Sequence, residues 1–549
     1  MEKIEFNLLE EPWIRVMTED CTVRECSLTE VLVHSHQYRR LAGELPTQDV
    51  AVLRLLLAVL HTVFYRMDPQ GAENPIESWR DATNRWAAIW EQGKIPEKPI
   101  REYLEGWRGR FWLFHPEQPF YQVPEAQGGT AYTAAKLNGE LSESSNKIRL
   151  FAGRSGAGKE SLSYGEAARW LLYINGFDDT SAKPKGKGLP SPGAGWMGQL
   201  GLIYAEGKNL FETLLLNLVL LNAEKQPWGD PKPVWERDKP KSAERTEIVM
   251  PDNQAELLTL QSRRLLLIRD GNRVVGYTLL GGDFFSKIDA FSEQMTLWRQ
   301  VEGKKNEDSY DRPRRWTPER QSWRDFGVIA GNTNGGRLPG VVSWIALLKN
   351  RRILSRQSVV HFRTAGVNYG DKDFFVADIL QDHLDFHTEL LDEAGKNWVE
   401  QIQLKLDQTD RAAQIVGKLA ESLYLAGGGQ PGDKAQEASY RRGIQSYYNA
   451  VDLPFRRWLL SIDPQGGNDQ DIRDRKDAQW RQEARDIAMK LGNEMVRGAG
   501  EGAFTGHWVK DGRADGDILY ASPRAFNYFA GSIRKCFEMN TIQKEAVHE

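Results

Sequence analysis

The segment Gly153-Arg154-Ser155-Gly156-Ala157-Gly158-Lys159-Glu160 has the spacing Gly-x4-Gly-Lys. In a nucleotide-binding loop of that spacing, backbone amides cradle phosphates and the lysine reaches the β and γ oxygens. The next position must then carry a hydroxyl for Mg²⁺. Here it is Glu160, and Ser161 comes one position late. No apolar strand ending in an acidic magnesium ligand lies nearby. Three readings stand: a P-loop-like ATPase using Gly153 to Lys159, a flexible basic loop touching a polyanion, and a plain surface loop. A second constellation, His383-x-x-x-His387 with Asp382 and Asp385, would put two imidazoles on one helical face. The glutamate that a zinc hydrolase needs beside the first His is missing, so these read as structural or surface histidines. No Gly-x-Ser-x-Gly elbow is present. The residues supply no catalytic set, and neither a metal nor a cofactor is expected.

The basic residues are more informative. Lys147, Arg149, Arg154 and Lys159 occupy one glycine-containing segment, and Lys183, Lys185 and Lys187 a second. Arg263, Arg264, Arg269 and Arg273 fall on a predicted hairpin. Arg312, Arg314, Arg315, Arg320 and Arg324 surround Trp316 and Trp323. Toward the C-terminus, Arg441, Arg442, Arg456 and Arg457 recur on one predicted helix. Such groups neutralise phosphates, and glycines let a backbone approach a groove closely. Beside acidic residues they also make ordinary salt-bridged surface. The two loops are favoured because charge and conformational freedom coincide there.

These residues must be positioned by a chain of 549 residues, 40% hydrophobic and 27% charged, which is ample for a buried core and excludes a disordered or fibrous protein. The net charge of −4 argues against a uniformly basic nucleic-acid binder and confines phosphate contact to local patches. Cys21, Cys26 and Cys536 form no disulfide or zinc framework, so free thiols in a reducing compartment are expected. The N-terminus shows no signal-peptide pattern, and the apolar runs 53–59 and 214–221 read as too short to cross a bilayer. A cytoplasmic protein without a membrane partner is expected. Periodicity predicts a strand near Trp13 to Val16 and a helix over 50–63 with Thr47 as N-cap. It predicts helix over 76–106, 164–174 and 210–221, and loops over 136–160 and 180–198. A hairpin is expected within 257–277, and short strands flank a polar turn within 358–375. After Val399 helix periodicity dominates, near 408–425, 434–461, 474–498 and 523–543, with Gly427-Gly428-Gly429 and Gly466-Gly467 as breaks. The expected class is α+β: a large irregular mixed α/β N-terminal domain, residues 1–400, followed by a C-terminal four-helix bundle, residues 401–549.

Several blocks in order resemble one known family. They are Asn7-Leu8-Leu9-Glu10-Glu11-Pro12-Trp13-Ile14-Arg15-Val16, Ser27-Leu28-Thr29-Glu30-Val31-Leu32, and His115-Pro116-Glu117-Gln118-Pro119-Phe120-Tyr121-Gln122. Asn217, the 358–386 region and the C-terminal helices extend the likeness over nearly the whole chain. The sequence is similar to the large subunit of the type I-E CRISPR Cascade surveillance complex, the CasA family. The resemblance implies a non-catalytic subunit for RNA-guided interference. It would recognise the protospacer-adjacent motif in double-stranded target DNA, promote strand opening and help recruit a helicase-nuclease. The first loop would contact the CRISPR RNA 5′ end and the backbone subunits through Asn146, Lys147, Arg149, Phe151, Arg154 and Lys159. A glycine loop entering the minor groove would correspond to Lys185, Gly186, Lys187, Gly188, Gly193 and Gly195, and the family's hairpin lysine to Arg273. The family's glutamine wedge would fall near Asn368 to Asp373, which holds no glutamine; Tyr369, Lys372 or a more distant glutamine is left for that role. Arg441, Arg442, Arg456 and Arg457 would face the displaced strand or the small helical subunits. A scaffold whose basic loops touch only protein is the remaining alternative.

Overall fold

The computed structural model describes residues 4–143, 148, 151–182, 188–288, 290–303, 309–331, 337–354, 359–464, 469–510 and 517–538. It is a mixed α/β architecture of many helices and small antiparallel sheets. The chain divides into two compact units. One comprises Met1–Arg320, Thr333–Arg356 and Val360–Leu384, and the other Gln321–Asn332, Gln357–Val359 and Asp385–Glu549.

The first unit is organised around the helix Pro46–Arg66, which is apolar on nearly every side. By length and composition this helix could cross a membrane, which corrects the expectation that no apolar run is long enough. Its most apolar window is 94% buried inside the protein, as befits a core helix. Pro46 occupies its first turn and Leu45 its N-cap, where a missing N–H costs nothing. Thr47, expected to cap, is instead a buried helical residue whose hydroxyl has no partner among the described residues. The helix packs against Tyr164–Phe177 and Gln254–Leu258. The 76–106 region holds two helices, Trp79–Gln92 and Glu97–Gly106, because Gly93 turns left-handed at φ 65° and stops the first.

The predicted helix 210–221 stops at Leu216. The side chain of Asn217 explains the early stop. Its Nδ2 donates to the carbonyls of Ala205 at 2.6 Å and Thr213 at 2.7 Å, and its Oδ1 accepts from the Ala205 N–H at 2.9 Å. It thereby closes the helix and fastens it to the strand Leu202–Glu206. That strand edges a three-stranded sheet with Val359–Tyr369 in the centre and Val376–His387 outside. Residues 376–387 are therefore a strand, and His383 and His387 do not share a helical face. The alternation that buries Leu384 and Phe386 outweighs the i,i+4 spacing of the histidines. A second sheet has the order Thr130–Thr133, Arg273–Gly281, Arg263–Asp270, with the expected hairpin turning at Gly271, φ 58°.

The second unit is mostly helical. Lys396–Ala426 packs against Lys434–Leu460, Gln470–Gly498 and Ser522–Phe537. The first and third begin earlier than periodicity predicts, and the last ends sooner. Phe455, Trp458 and Trp480 pack with ring centroids 5.0 to 5.6 Å apart, which accounts for the tryptophans there as core. A short hairpin, His507–Lys510 with Asp517–Tyr520, was not foreseen.

Candidate nucleic-acid interface

The second glycine-containing segment is anchored at both of its ends. Helix Tyr164–Phe177 delivers Asp178 and Asp179, and the hairpin strand Arg263–Asp270 delivers Arg263. Arg263 Nε donates to Asp178 Oδ2 at 2.7 Å, and Nη2 donates to the carbonyls of Asp178, Asp179 and Gly193 at 3.1, 2.6 and 2.9 Å. Lys136 Nζ lies 2.7 Å from Asp179 Oδ2 and 3.9 Å from Asp178 Oδ1. All four side chains are buried. Two cations face two carboxylates, so the group carries no net charge into the low-dielectric interior. Burial pushes the Asp178 carboxyl up, against Arg263 and Lys136. For Asp179 burial is outweighed by the Lys136 ammonium, and its carboxyl lies below the usual range. Burial likewise opposes the charge of Lys136, but Asp178 and Asp179 raise its pKa.

The far end is held as firmly. The Gly195 N–H donates to the Asp178 carbonyl at 2.9 Å. A Cβ at Gly195 would stand 2.4 Å from the Gly176 carbonyl oxygen, so only glycine fits. Trp196 N–H reaches Ser262 Oγ at 3.1 Å, and its indole donates to Glu293 at 2.9 Å. Glu293 is itself gripped by two bonds from the buried Arg54, at 2.9 and 3.0 Å. Gly188 is left-handed, φ +80°, with nothing near its Cβ position. Gly193 is left-handed too, φ +64°. Lys185, Gly186 and Lys187 lie outside the described residues, as do Asn146, Lys147 and Arg149.

The turn between Val359–Tyr369 and Val376–His387 is tied to the first residue of this loop. Thr180 N–H donates to the Asp373 carbonyl at 3.0 Å, and its hydroxyl donates to that of Lys372 at 3.2 Å. Arg315 clamps the Asp373 carboxylate with two bonds of 2.9 Å and lies 5.1 Å over the Tyr369 ring. Tyr369 donates its hydroxyl to the Phe177 carbonyl at 2.6 Å, and burial pushes its pKa well up. Tyr369 is thus committed to the body, whereas Lys372, at φ 51°, is exposed on the turn. The structure brings Thr180, Tyr369 and Lys372 together.

Arg273 is placed elsewhere. Its guanidinium donates to the hydroxyl and carbonyl of Ser161, each at 3.1 Å, and Tyr164 donates to the Gly271 carbonyl at 3.0 Å. The hairpin tip is therefore fastened to the end of the first loop. In that loop Arg154 pairs with Glu140 at 3.2 Å and Glu166 at 2.8 Å, while Lys159 pairs with the buried Glu143. Phe151 is 89% exposed. The Gly-x4-Gly-Lys segment lacks nucleotide-loop geometry. A single helical turn, Ala157–Glu160, follows it, and Lys159 is spent on Glu143. The long helix beyond is closed at its N-terminus by a capping box between Ser163 and Glu166. Among the described residues no group of three or more His, Cys, Asp or Glu could hold a metal ion. In the helical unit Arg441 and Arg456 make i,i+4 pairs with Glu437 at 2.6 Å and Asp452 at 2.9 Å, and Arg442 and Arg457 are exposed.

Residues 7–491 match the family described as CRISPR-associated protein Cse1. The chain belongs to the Cse1 family. It is 31% identical over 336 residues to the CRISPR-associated protein CasA/Cse1 of Thermus thermophilus, a match covering 60% of this chain and 61% of that relative. It is similar to the crystal structure of Thermobifida fusca Cse1 at TM-score 0.79 and 29% identity, over 98% of this chain and 99% of the other. A chain of a solved CRISPR RNA-guided surveillance complex shares the fold at TM-score 0.71 and 16% identity, over 96% and 99%.

Within this Cse1-family chain the structure adds two cations that sequence reasoning missed. Lys287 is half-buried; burial first, then Arg315 and Arg299, hold it below the ordinary lysine value, with Asp373 opposing. Arg245 is buried, donates to the Pro190 carbonyl at 2.8 Å, and has no partner for Nε and Nη1 among the described residues. Lys287 has no basic neighbour in its segment, and Arg245 follows Arg237, Lys239 and Lys241 among the acidic Asp238, Glu244 and Glu247, a mix that reads as ordinary charged surface. Conversely, Arg264 and Arg269 of the hairpin are engaged with Asp283 at 2.6 Å and Glu5 at 2.9 Å.

Proposed function

We propose that this chain is the large, non-catalytic subunit of a type I-E RNA-guided surveillance complex. It recognises a short motif in duplex DNA and starts strand opening. The observation that carries this reading is the junction of Thr180 with the 370–375 turn. A glycine loop on rigid roots and an exposed Lys372 share one edge of the first unit. A loop that can bring its backbone into the minor groove reads shape and exocyclic groups there, and a neighbouring side chain wedges the base step. The energy of opening, about 1–2 kcal/mol per step, is offset first by these contacts and then by guide pairing.

The same proposal assigns the first loop, with exposed Phe151, to the CRISPR RNA 5′ end and backbone subunits. It assigns Arg442 and Arg457, with Arg441 and Arg456, to the displaced strand or small helical subunits. The chain would act in the cytoplasm, with the division of labour falling near residue 400 and the C-terminal part working as a four-helix bundle. Membership of the Cse1 family supports the reading. The test is binding of a motif library by the reconstituted complex, comparing wild type with a Lys185→Ala/Lys187→Ala double variant and with Lys372→Ala. Both variants should weaken motif-containing duplex by tenfold or more while the complex still assembles. Unchanged motif preference and affinity would overturn the placement, and a complex whose binding ignores the duplex would point to a protein-only scaffold.

A further inference from the structure

Away from the loops, the first unit contains a cavity of about 300 Å³. Leu221, Leu347 and Trp344 supply apolar wall, and Arg337, Lys225 and Ser343 supply donors. Arg337 is half-buried and lies 4.6 Å over the Phe291 ring and 5.0 Å over that of Trp298. Its Nη2 donates to the Phe291 carbonyl at 3.1 Å, and no carboxylate pairs with it among the described residues. Burial holds Arg337 below the ordinary arginine value, with Glu224 and Asp311 acting on it only through longer-range attraction. Trp344 is 2% exposed, and its indole N–H has no hydrogen-bond partner among the described residues. The carboxylate on the wall, Glu293, is already neutralised by Arg54 and capped by the Trp196 indole. Besides these donors the wall carries the amides of Asn222, whose Oδ1 accepts the Gln226 N–H at 2.9 Å, and Gln294, so its cationic donors outnumber its uncommitted acceptors. A buried donor left unmade is costly, and a guanidinium on an aromatic platform is pre-organised for a planar oxyanion.

We propose that this cavity is a binding site for a small aromatic oxyanion, its head on Arg337 and Lys225 and its flat body against the partly exposed Leu338 and Leu347. The volume suits a ligand of mononucleotide or indole-acid size. The site is independent of the DNA-reading proposal, and neither depends on the other.

Calorimetric titration of the full chain with two probes tests it: adenosine 5′-monophosphate for a phosphate head, and indole-3-acetate for a carboxylate head. At least one should bind with Kd near or below about 1 mM. Arg337→Gln should weaken that binding tenfold or more, and Arg337→Lys less. Ser343→Trp, which fills the mouth while leaving Arg337 in place, should weaken it as well, and it decides the matter if Arg337→Gln fails to fold. Binding of one probe alone supports the site and assigns its head group. No heat from either probe at about ten times that concentration, or equal affinity in wild type, Arg337→Gln and Ser343→Trp, overturns it.

Discussion

Arg263 shows how a residue picked out for its charge can turn out to be scaffolding. It was one of four hairpin arginines suited to phosphate, yet it is fully buried and bonds both ends of a loop. Arg263→Met should cost about 3–5 kcal/mol, because it leaves Asp178 buried without its partner. Denaturant unfolding of the isolated chain measures this, and a loss under about 1 kcal/mol would contradict the network. Asp49 gives a pH prediction of the same kind. Its carboxyl accepts the Gly43 N–H at 2.7 Å, and burial raises it from 3.8 to about 7. The folded state therefore holds this proton more tightly than the unfolded chain. That contributes stability which is fully present below about pH 4 and is lost as pH rises through about 7. Asp49→Asn keeps an acceptor toward Gly43 and removes the titration. Its thermal midpoint relative to wild type should rise between pH 5 and pH 8.

At the scale of an element, the glycine loop separates two roles for one residue type. Gly195 is glycine because the Gly176 carbonyl is in the way, whereas Gly188 is glycine only because its φ is positive. Gly195→Val should destabilise the first unit and disturb the loop root. Gly188→Ala should cost about 1 kcal/mol of stability, yet weaken motif binding more than such a change predicts if the loop backbone enters a groove. Thermal unfolding beside duplex binding for the two variants separates these effects. If Gly188→Ala binds as tightly as wild type, close backbone approach at that position is excluded. The turn at 370–375 obeys similar logic. Arg315 holds Asp373, so Lys372 is displayed by a braced element rather than a loose one.

For the whole molecule, a net charge of −4 now reads as a statement about where cations remain available. Several arginines that looked like phosphate ligands are consumed internally, among them Arg154, Arg263, Arg264 and Arg269. Duplex binding by the assembled complex should therefore have a modest salt dependence. Lys372→Ala and Lys287→Ala should each flatten the plot of log K against log salt by about one unit. An unchanged slope in both would place the DNA contacts elsewhere.

Local pattern alone determined much of this protein. Ser27 and Ser163 cap the helices that follow them, Asp270 to Arg273 turns a hairpin, and the long C-terminal helices announce themselves by apolar spacing. Each depends on residues a few positions apart. The ordered family blocks also made the relationship legible before any fold was known. Tertiary structure decided the rest, because the deciding partners lie far away in sequence. Asn217 ends a helix by bonding a strand, and two histidines at helical spacing sit on a strand because Leu384 and Phe386 need burying. The Gly-x4-Gly-Lys lysine meets Glu143 instead of a phosphate. Charge can be counted along a chain, but whether it is free or already paired depends on which other segment folds against it.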